Sequence, residues 1–410
     1  MSSDVLYQRL GNGLQLLVKQ RSHLPLLSIA IGARGGALLE PRDQAGITAM
    51  MARTSIKGTE RRTAAQIADE AERMGGSISP YGGSDLLDWE ISVPSRHFDK
   101  AFDLLADVAF NGQFPEPELE VERKLTIAGL QHTRDDMYRY PLQLCMQAAF
   151  AGHPYGYSLD DLERSVSQLP SEQLRAWQSE RMTADPWVVI VGDIDAATAS
   201  RAVEKLNGVG AANGTRSGEQ PLWPATPISI REQRDKAQSA LAIGFPGPDR
   251  NHPDVYALQV MANAVGGLGG RFFEELRSKR SLAYTVSLIR VFRALAGTFV
   301  GYIATTPERE DEARAGLYEQ FAALVDEPLS DEEIERSIRY TIGAWQIRNQ
   351  TNASQLSDLL QAHLLGSGMD EIDNFETRIR AVTASAIQEA AARYFKPELA
   401  VEGIVRGNHG

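Results

Sequence analysis

The chain has 410 residues, 43% of them hydrophobic and 23% charged, the balance of an ordinary globular protein with room for two or three domains. A net charge of −12 and the lack of a Lys/Arg-rich tract argue against non-specific binding to nucleic acid or to an anionic membrane. Apolar runs such as LPLLSIAIGA (24–33) fall well short of the roughly 18 residues a membrane-spanning helix requires, and a single cysteine, Cys145, excludes a disulfide framework and a multi-cysteine zinc site.

In chain order, MSSDVLYQRLGNGLQLLVKQ breaks its apolar residues with Asp4, Gln8 and Arg9, so no export signal is expected here, although the chain could be a mature form. Gly11-Asn12-Gly13 predicts a hairpin turn, and LLSIAIGARGG predicts the next strand. AGITAMMARTSIKGT (45–59) reads as a helix starting near Asp43 and stopped by Lys57-Gly58-Thr59, with Ala49, Ala52 and Arg53 at its centre. Further helical stretches surround DWEISVP (88–94), whose alternation predicts a strand. HTRDDMY (132–138) holds His132, Asp135 and Asp136, read as a solvated helix end or loop rather than a metal cluster. LQLCMQAAF makes Cys145 a buried small hydrophobe, and AGHPYGY makes His153 a turn residue. WVVIVGDI closes the first half as a strand, and residues 207–227, dense in Gly, Pro, Ser and Asn, read as a surface linker.

The second half repeats the first. SIAIGA (28–33) returns as ALAIGF (240–245), Glu122-Arg123 as Glu335-Arg336, Pro94 as Pro307, and VSQLPSEQLRAW as IRAVTASAIQEA, at offsets of 212 to 213 throughout. AVEGIVRG closes this half as WVVIVGDI closes the first. Strands and helices do not alternate singly, so each half is expected to be α+β, an antiparallel sheet with helices packed on one face, the two arranged as a clamshell. The expected domains are 1–206 and 228–410 around the linker.

The seven histidines, His23, His97, His132, His153, His252, His363 and His409, form no HExxH, HxxEH or HxH motif, and neither a GxSxG elbow, a phosphate loop nor a dinucleotide fingerprint is present. In AVGGLGGRFFEELRSKRSLAYTVS (264–287), Gly266, Gly267, Gly269 and Gly270 form a flexible segment. Phe272 and Leu276 have helical spacing, and Arg277 and Tyr284 stand seven residues apart. By composition alone these are a loop, a helix with a surface arginine and a strand-opening tyrosine.

Over nearly its whole length the chain resembles the pitrilysin and insulysin zinc peptidases, above all the short-chain branch that includes mitochondrial processing peptidase. GITAMMARTSIKGT is similar to the inverted zinc helix GxxHxxEHxxxxGT, with Gly46, Gly58 and Thr59 in place. On that alignment Ala49 and Arg53 replace the two histidine ligands, Ala52 replaces the glutamate that activates water, and Gly129 replaces the third ligand. A methyl group cannot bind zinc and a guanidinium repels it, so no metal is expected in this chain. LRSKRSLAY, by contrast, keeps the Arg and Tyr that active members supply from their C-terminal half.

The resemblance implies a metal-free subunit of a heteromeric zinc endopeptidase, inactive alone, that gives Arg277 and Tyr284 to a homologous HxxEH-bearing partner in which the zinc is expected. Substrates would be unfolded peptides, with Gly266, Gly267, Gly269 and Gly270 matching a glycine-rich substrate loop that is shorter here. The alternative is a catalytically inert structural or peptide-binding relative, comparable to respiratory core proteins, and a homodimer without chemistry is a third. The expected compartment is the periplasm for a mature form, otherwise the cytoplasm.

Overall fold

The computed structural model describes residues 5–206, 218–267 and 269–408. Residues 207–217 of the expected linker, Leu268 of the glycine segment, Asp4 and His409 lie outside the described residues.

The opening hairpin forms as its turn signal predicts. β1 (Val5–Arg9) pairs antiparallel with β2 (Gln15–Gln20), and Gly13, at φ 90°, supplies the left-handed residue of the turn. β3 (Leu26–Arg34), β4 (Ser79–Gly82), β5 (Leu86–Pro94) and β6 (Pro186–Gly192) complete a first sheet in the order β1-β2-β6-β3-β5-β4. The second sheet contains β7 (Ile228–Gln233), β8 (Ser239–Gly247), β9 (Thr285–Phe292), β10 (Gly297–Thr305) and β11 (Val401–Arg406), in the order β7-β11-β8-β10-β9.

The two orders correspond strand for strand once β1 is set aside, so the sequence repeat is a repeat of topology. Each sheet is antiparallel except at one pair: β2 runs parallel to β6, and β7 parallel to β11. That pair is parallel because the closing strand of each half returns through a long helical excursion rather than a hairpin.

Helices Ile47–Ser55, Phe98–Phe110 and Ser171–Ala184 pack on one face of the first sheet, around Trp89, Leu105 and Phe114. Asp254–Gly266, Glu310–Asp326 and Ala384–Tyr394 do the same on the second, around Phe245, Phe299 and Phe321. The opposite faces are covered too, each by a helix from the other half of the sequence. Leu356, Leu359 and Leu360 of helix Asn352–Leu360 close the first sheet over Leu17, Ala30, Trp187 and Val189.

Helix Arg139–Ala149 lies on β11, β8 and β7 of the second sheet. Its approach is close enough that a Cβ on Gly403 would meet the Pro141 carbonyl oxygen at 2.1 Å, so only glycine fits there. Cys145 is fully buried at this contact, and burial raises its thiol pKa far above the ordinary value, which makes it an inert small hydrophobe.

The compact units therefore do not follow the sequence halves. One comprises Met1–Gly129, Asp160–Gly218 and Arg348–Asp373, the other Leu130–Leu159, Glu219–Ile347 and Asn374–Gly410. The tail of the expected linker is docked on the second unit, where Trp223 meets Phe150 edge-on and its indole N–H donates to the Leu399 carbonyl at 2.7 Å. Among the described residues no helix is long and apolar enough to cross a membrane.

Candidate functional site

The helix at 47–55 starts later than its sequence suggests. Asp43 lies in a short 3-10 turn, Arg42–Gln44, and the α-helix begins at Ile47 after Gly46, whose φ of 90° suits only glycine. The cap is a distant carboxylate: buried Glu40 accepts the backbone N–H of Gly46 at 2.6 Å and of Thr48 at 2.8 Å, filling orphan donors of the first turn. Burial raises the pKa of Glu40, opposed by those hydrogen bonds.

The helix is then pinned from both sides. Trp177 donates its indole N–H to Thr48 Oγ1 at 3.1 Å, and Trp89 donates to Ser55 Oγ at 2.7 Å. Beyond it, Thr59 Oγ1 donates to Asp107 at 2.6 Å, and the same carboxylate receives Arg61 and Arg62 at 3.1 and 2.7 Å. Of the residues that match the zinc-helix pattern, Gly46 supplies the left-handed N-cap and Thr59 ties the chain beyond the helix to Asp107.

The positions that would carry chemistry offer none. Ala49 lies against the edge strand β4, where a Cβ on Gly82 would come within 2.7 Å of its Cα. Ala52 is fully buried, while Arg53 is exposed in the last helical turn and reaches Thr126 Oγ1 at 3.4 Å. Thr126 and exposed Gly129 belong to helix Glu116–Asp135, so the structure brings together the surroundings of the expected ligand positions without any donor there. Glu122 on that helix is spent on Lys57 at 3.1 Å. A zinc ion does not fit this residue set: one methyl group is buried, another abuts a strand, and the third position carries a fixed positive charge. Among the described residues no three His, Cys, Asp or Glu side chains are grouped to hold a metal ion. The HTRDDMY segment is the end of helix Glu116–Asp135 and the turn after it, where Asp136 accepts the N–H groups of Tyr138 and Arg139. His153 is the turn residue expected, accepting from the Tyr155 N–H.

In the second unit, Gly266 ends helix Asp254–Gly266, Gly267 follows as its cap, and Gly269 has open space where a side chain would be. Gly270 is different. A Cβ there would meet the Val265 carbonyl oxygen at 2.3 Å, and Arg271 beside it forms a two-pronged pair with Glu333, both contacts 2.8 Å. The Arg271 guanidinium is the main cause that draws the Glu333 carboxyl down to about 2. The glycine segment is thus a turn anchored at its far end.

After it, residues Phe273–Lys279 form a π-helix, a widened coil that is rare and often found at functional sites. Phe272 and Leu276 face the core, as their spacing predicts. Arg277 faces away from it, its guanidinium 4.6 Å from the Phe273 ring centre and 4.9 Å from that of Tyr284. Tyr284 is 79% exposed immediately before β9, so the seven-residue spacing closes into a stacked pair at the protein surface.

The loop that closes it is held by residues no sequence signal marked. Ser281 takes φ 49°, a strained value for a non-glycine residue. Arg309 donates to the Ser281 carbonyl at 2.6 Å and the Arg280 carbonyl at 3.0 Å, and Thr305 donates to that of Leu282 at 2.6 Å. Arg309 and Thr305 thus fix the backbone of residues 280–282, just before Tyr284.

The first unit also holds a pair of acids on the sheet face away from its main helices. Asp88 pairs with Gly32 of β3 and Tyr81 of β4, and Glu90 follows on the same face of β5. Burial, then the charge of Glu90, push the Asp88 carboxyl up to about 7. In the unfolded chain it titrates near about 4, so the folded state holds the proton longer and loses stability as pH rises from about 4 to 7, by up to ~1.4 kcal/mol per unit. Asp88→Asn is expected to raise the melting temperature at pH 8 and leave it unchanged at pH 4. An equal shift at both pH values in thermal scans would rule out this source of strain.

Residues 18–161 match the family described as Insulinase (Peptidase family M16), and residues 169–340 match that described as Peptidase M16 inactive domain. A protein named as an uncharacterized zinc protease of Bacillus subtilis is 23% identical over 95% of each chain. Another of that description, from Mycobacterium leprae, is 27% identical over 81% of this chain and 76% of its own. Among solved structures, a peptidase M16 inactive domain from Pseudomonas fluorescens has a TM-score of 0.90 at 18% identity over 99% of both chains. A protease from Helicobacter pylori has a TM-score of 0.84 at 16% identity over 98% of this chain and 99% of its own. Two family matches in succession account for the repeated α+β topology, and the chain belongs to the M16 (insulinase) peptidase family.

Proposed function

We propose that the chain is the metal-free subunit of a heteromeric zinc endopeptidase and supplies Arg277 and Tyr284 to an active site whose metal belongs to a homologous HxxEH-bearing partner. One observation carries the reading: the expected ligand positions are Ala49, Arg53 and Gly129 and the expected general-base position is Ala52, while Arg277, half-buried, stacks on an exposed Tyr284. A purely structural relative has no use for such a pair.

In this role the phenolic O–H of Tyr284 donates to the carbonyl oxygen of the scissile bond as it gains negative charge, and the Arg277 fork holds a neighbouring substrate carbonyl. The anchored glycine turn at Gly266, Gly267, Gly269 and Gly270 would pass the peptide by, leaving room at Gly269. Unfolded peptides suit the role because an extended chain can add to a sheet edge.

The purified chain is expected to carry no stoichiometric zinc by elemental analysis and to cleave no peptide. Addition of its HxxEH partner, found by co-purification and mass spectrometry, is expected to give a chelator-sensitive peptidase, and the same experiment reports the compartment. Stoichiometric zinc with activity in the chain alone would overturn the reading.

A further inference from the structure

β9 lies at the edge of the second sheet and, among the described residues, pairs only with β10. Its alternate residues Val286, Leu288 and Phe292 face the apolar core under the sheet. Arg290 shares their face, so a permanent positive charge stands where the pattern calls for an apolar side chain. Nη1 of Arg290 donates to Oδ1 of Asn263 at 3.1 Å, and Asn263 in turn donates to Thr341 Oγ1 at 2.7 Å. Among the described residues no carboxylate pairs with it; the ionisable group that acts on it is the Tyr340 phenol. Burial lowers the pKa of the guanidinium, which remains charged nonetheless.

A part-buried cation held by one neutral amide costs stability that an aliphatic side chain would not. Such a cost is tolerated where a ligand supplies the counter-charge. Arg290 is six residues beyond Tyr284, roughly 20 Å along an extended strand.

We propose that Arg290, with Asn263, is a carboxylate-recognition site for a peptide lying along the free edge of β9, selecting substrates that carry a negative group about six residues from the segment at Tyr284. This rests on the peptide-processing role above, but its test needs neither the partner nor the metal. The carboxylate could be an Asp or Glu side chain or the peptide's own C-terminus, and Arg290 would grip either through two parallel hydrogen bonds.

The test is fluorescence anisotropy on the full chain with labelled unstructured peptides of three kinds: C-terminally amidated with one glutamate, the same with glutamine, and the glutamine form with a free C-terminus. At least one carboxylate form is expected to bind about ten- to a hundredfold more tightly than the amidated glutamine peptide. Whichever form gains identifies the carboxylate's source. Arg290→Met should erase that preference and, with no ligand present, raise the melting temperature, since it removes an uncompensated charge. A structural arginine would instead lower it.

Asn263→Asp tests the same point without removing the arginine, because it builds a counter-ion 3.1 Å from Nη1 and should abolish the preference while the chain stays folded. Equal affinity for all three peptides, a preference surviving in both variants, or a lower melting temperature in a folded Arg290→Met protein would each overturn the proposal. A charge preference in a chain that no partner activates would leave the proposal standing and count against the peptidase-subunit role alone.

Discussion

In the reconstituted complex, Tyr284→Phe is expected to lower kcat about 10²- to 10³-fold with little change in subunit affinity. The size follows from what removal of one preorganised donor to a developing oxyanion costs. The substitution deletes only the hydroxyl. The ring that stacks 4.9 Å from the Arg277 guanidinium remains, and so do the Arg309 and Thr305 contacts that shape the loop. Tyr284 is 79% exposed, so its hydroxyl contributes little to the stability of the free chain and an unchanged melting temperature should accompany the loss of turnover. Arg277→Lys keeps the charge but not the planar fork, and should raise KM more than it lowers kcat. Full turnover by Tyr284→Phe, measured against subunit-binding curves, would remove Tyr284 from the reaction.

Asp107→Ala is expected to destabilise the first unit by about 3 kcal/mol or more. The carboxylate is fully buried and gathers Thr59, Arg61, Arg62 and Asn111 onto its two oxygens, at 2.6, 3.1, 2.7 and 3.1 Å. Burial alone would raise its pKa; the hydrogen bonds from Thr59, Arg62, Asn111 and Arg61 reverse that and hold the group below the usual carboxylate range. The stabilisation is therefore complete above about pH 4, the unfolded value, and is lost as pH falls through the folded pKa. Asp103 keeps contact with both arginines, which limits the damage but leaves Thr59 and the end of helix Ile47–Ser55 without their anchor. Urea titration should show the shift, whereas Arg53→Ala, on the exposed turn of the same helix, should fall within about 0.5 kcal/mol of the parent. A loss below about 1 kcal/mol for Asp107→Ala would mean that the Glu40 cap and the tryptophan contacts hold the helix without it.

Much of this was legible from residue order. The constant offset between SIAIGA and ALAIGF marked the two central strands, β3 and β8, and the Gly-Asn-Gly turn marked the first hairpin, because both signals are local and periodic. The parallel pairs β2–β6 and β7–β11 were not legible, since pairing between distant strands leaves no local trace. Nor was Glu40, which caps a helix across six residues from outside any standard capping spacing. Arg290 was within reach: in TVSLIRVF it breaks an inward row of Val286, Leu288 and Phe292, and strand alternation alone flags it. Arg309 and Ser281 were beyond reach, because the strain at 281 and the donor that relieves its carbonyl exist only once the loop is folded.

Helices Arg139–Ala149 and Asn352–Leu360 occupy corresponding places in the two sequence repeats, yet each serves the unit built mainly from the other repeat. A gene encoding one repeat would specify a chain whose sheet is left bare on one side, with Leu17, Trp187 and Val189 or their counterparts wetted. A chain of one repeat would need a second copy to lend that helix, as a mutually swapped homodimer, and with both repeats in one chain the exchange is intramolecular and independent of concentration. Neither repeat can then be removed without unclothing its twin, whatever side chains each carries.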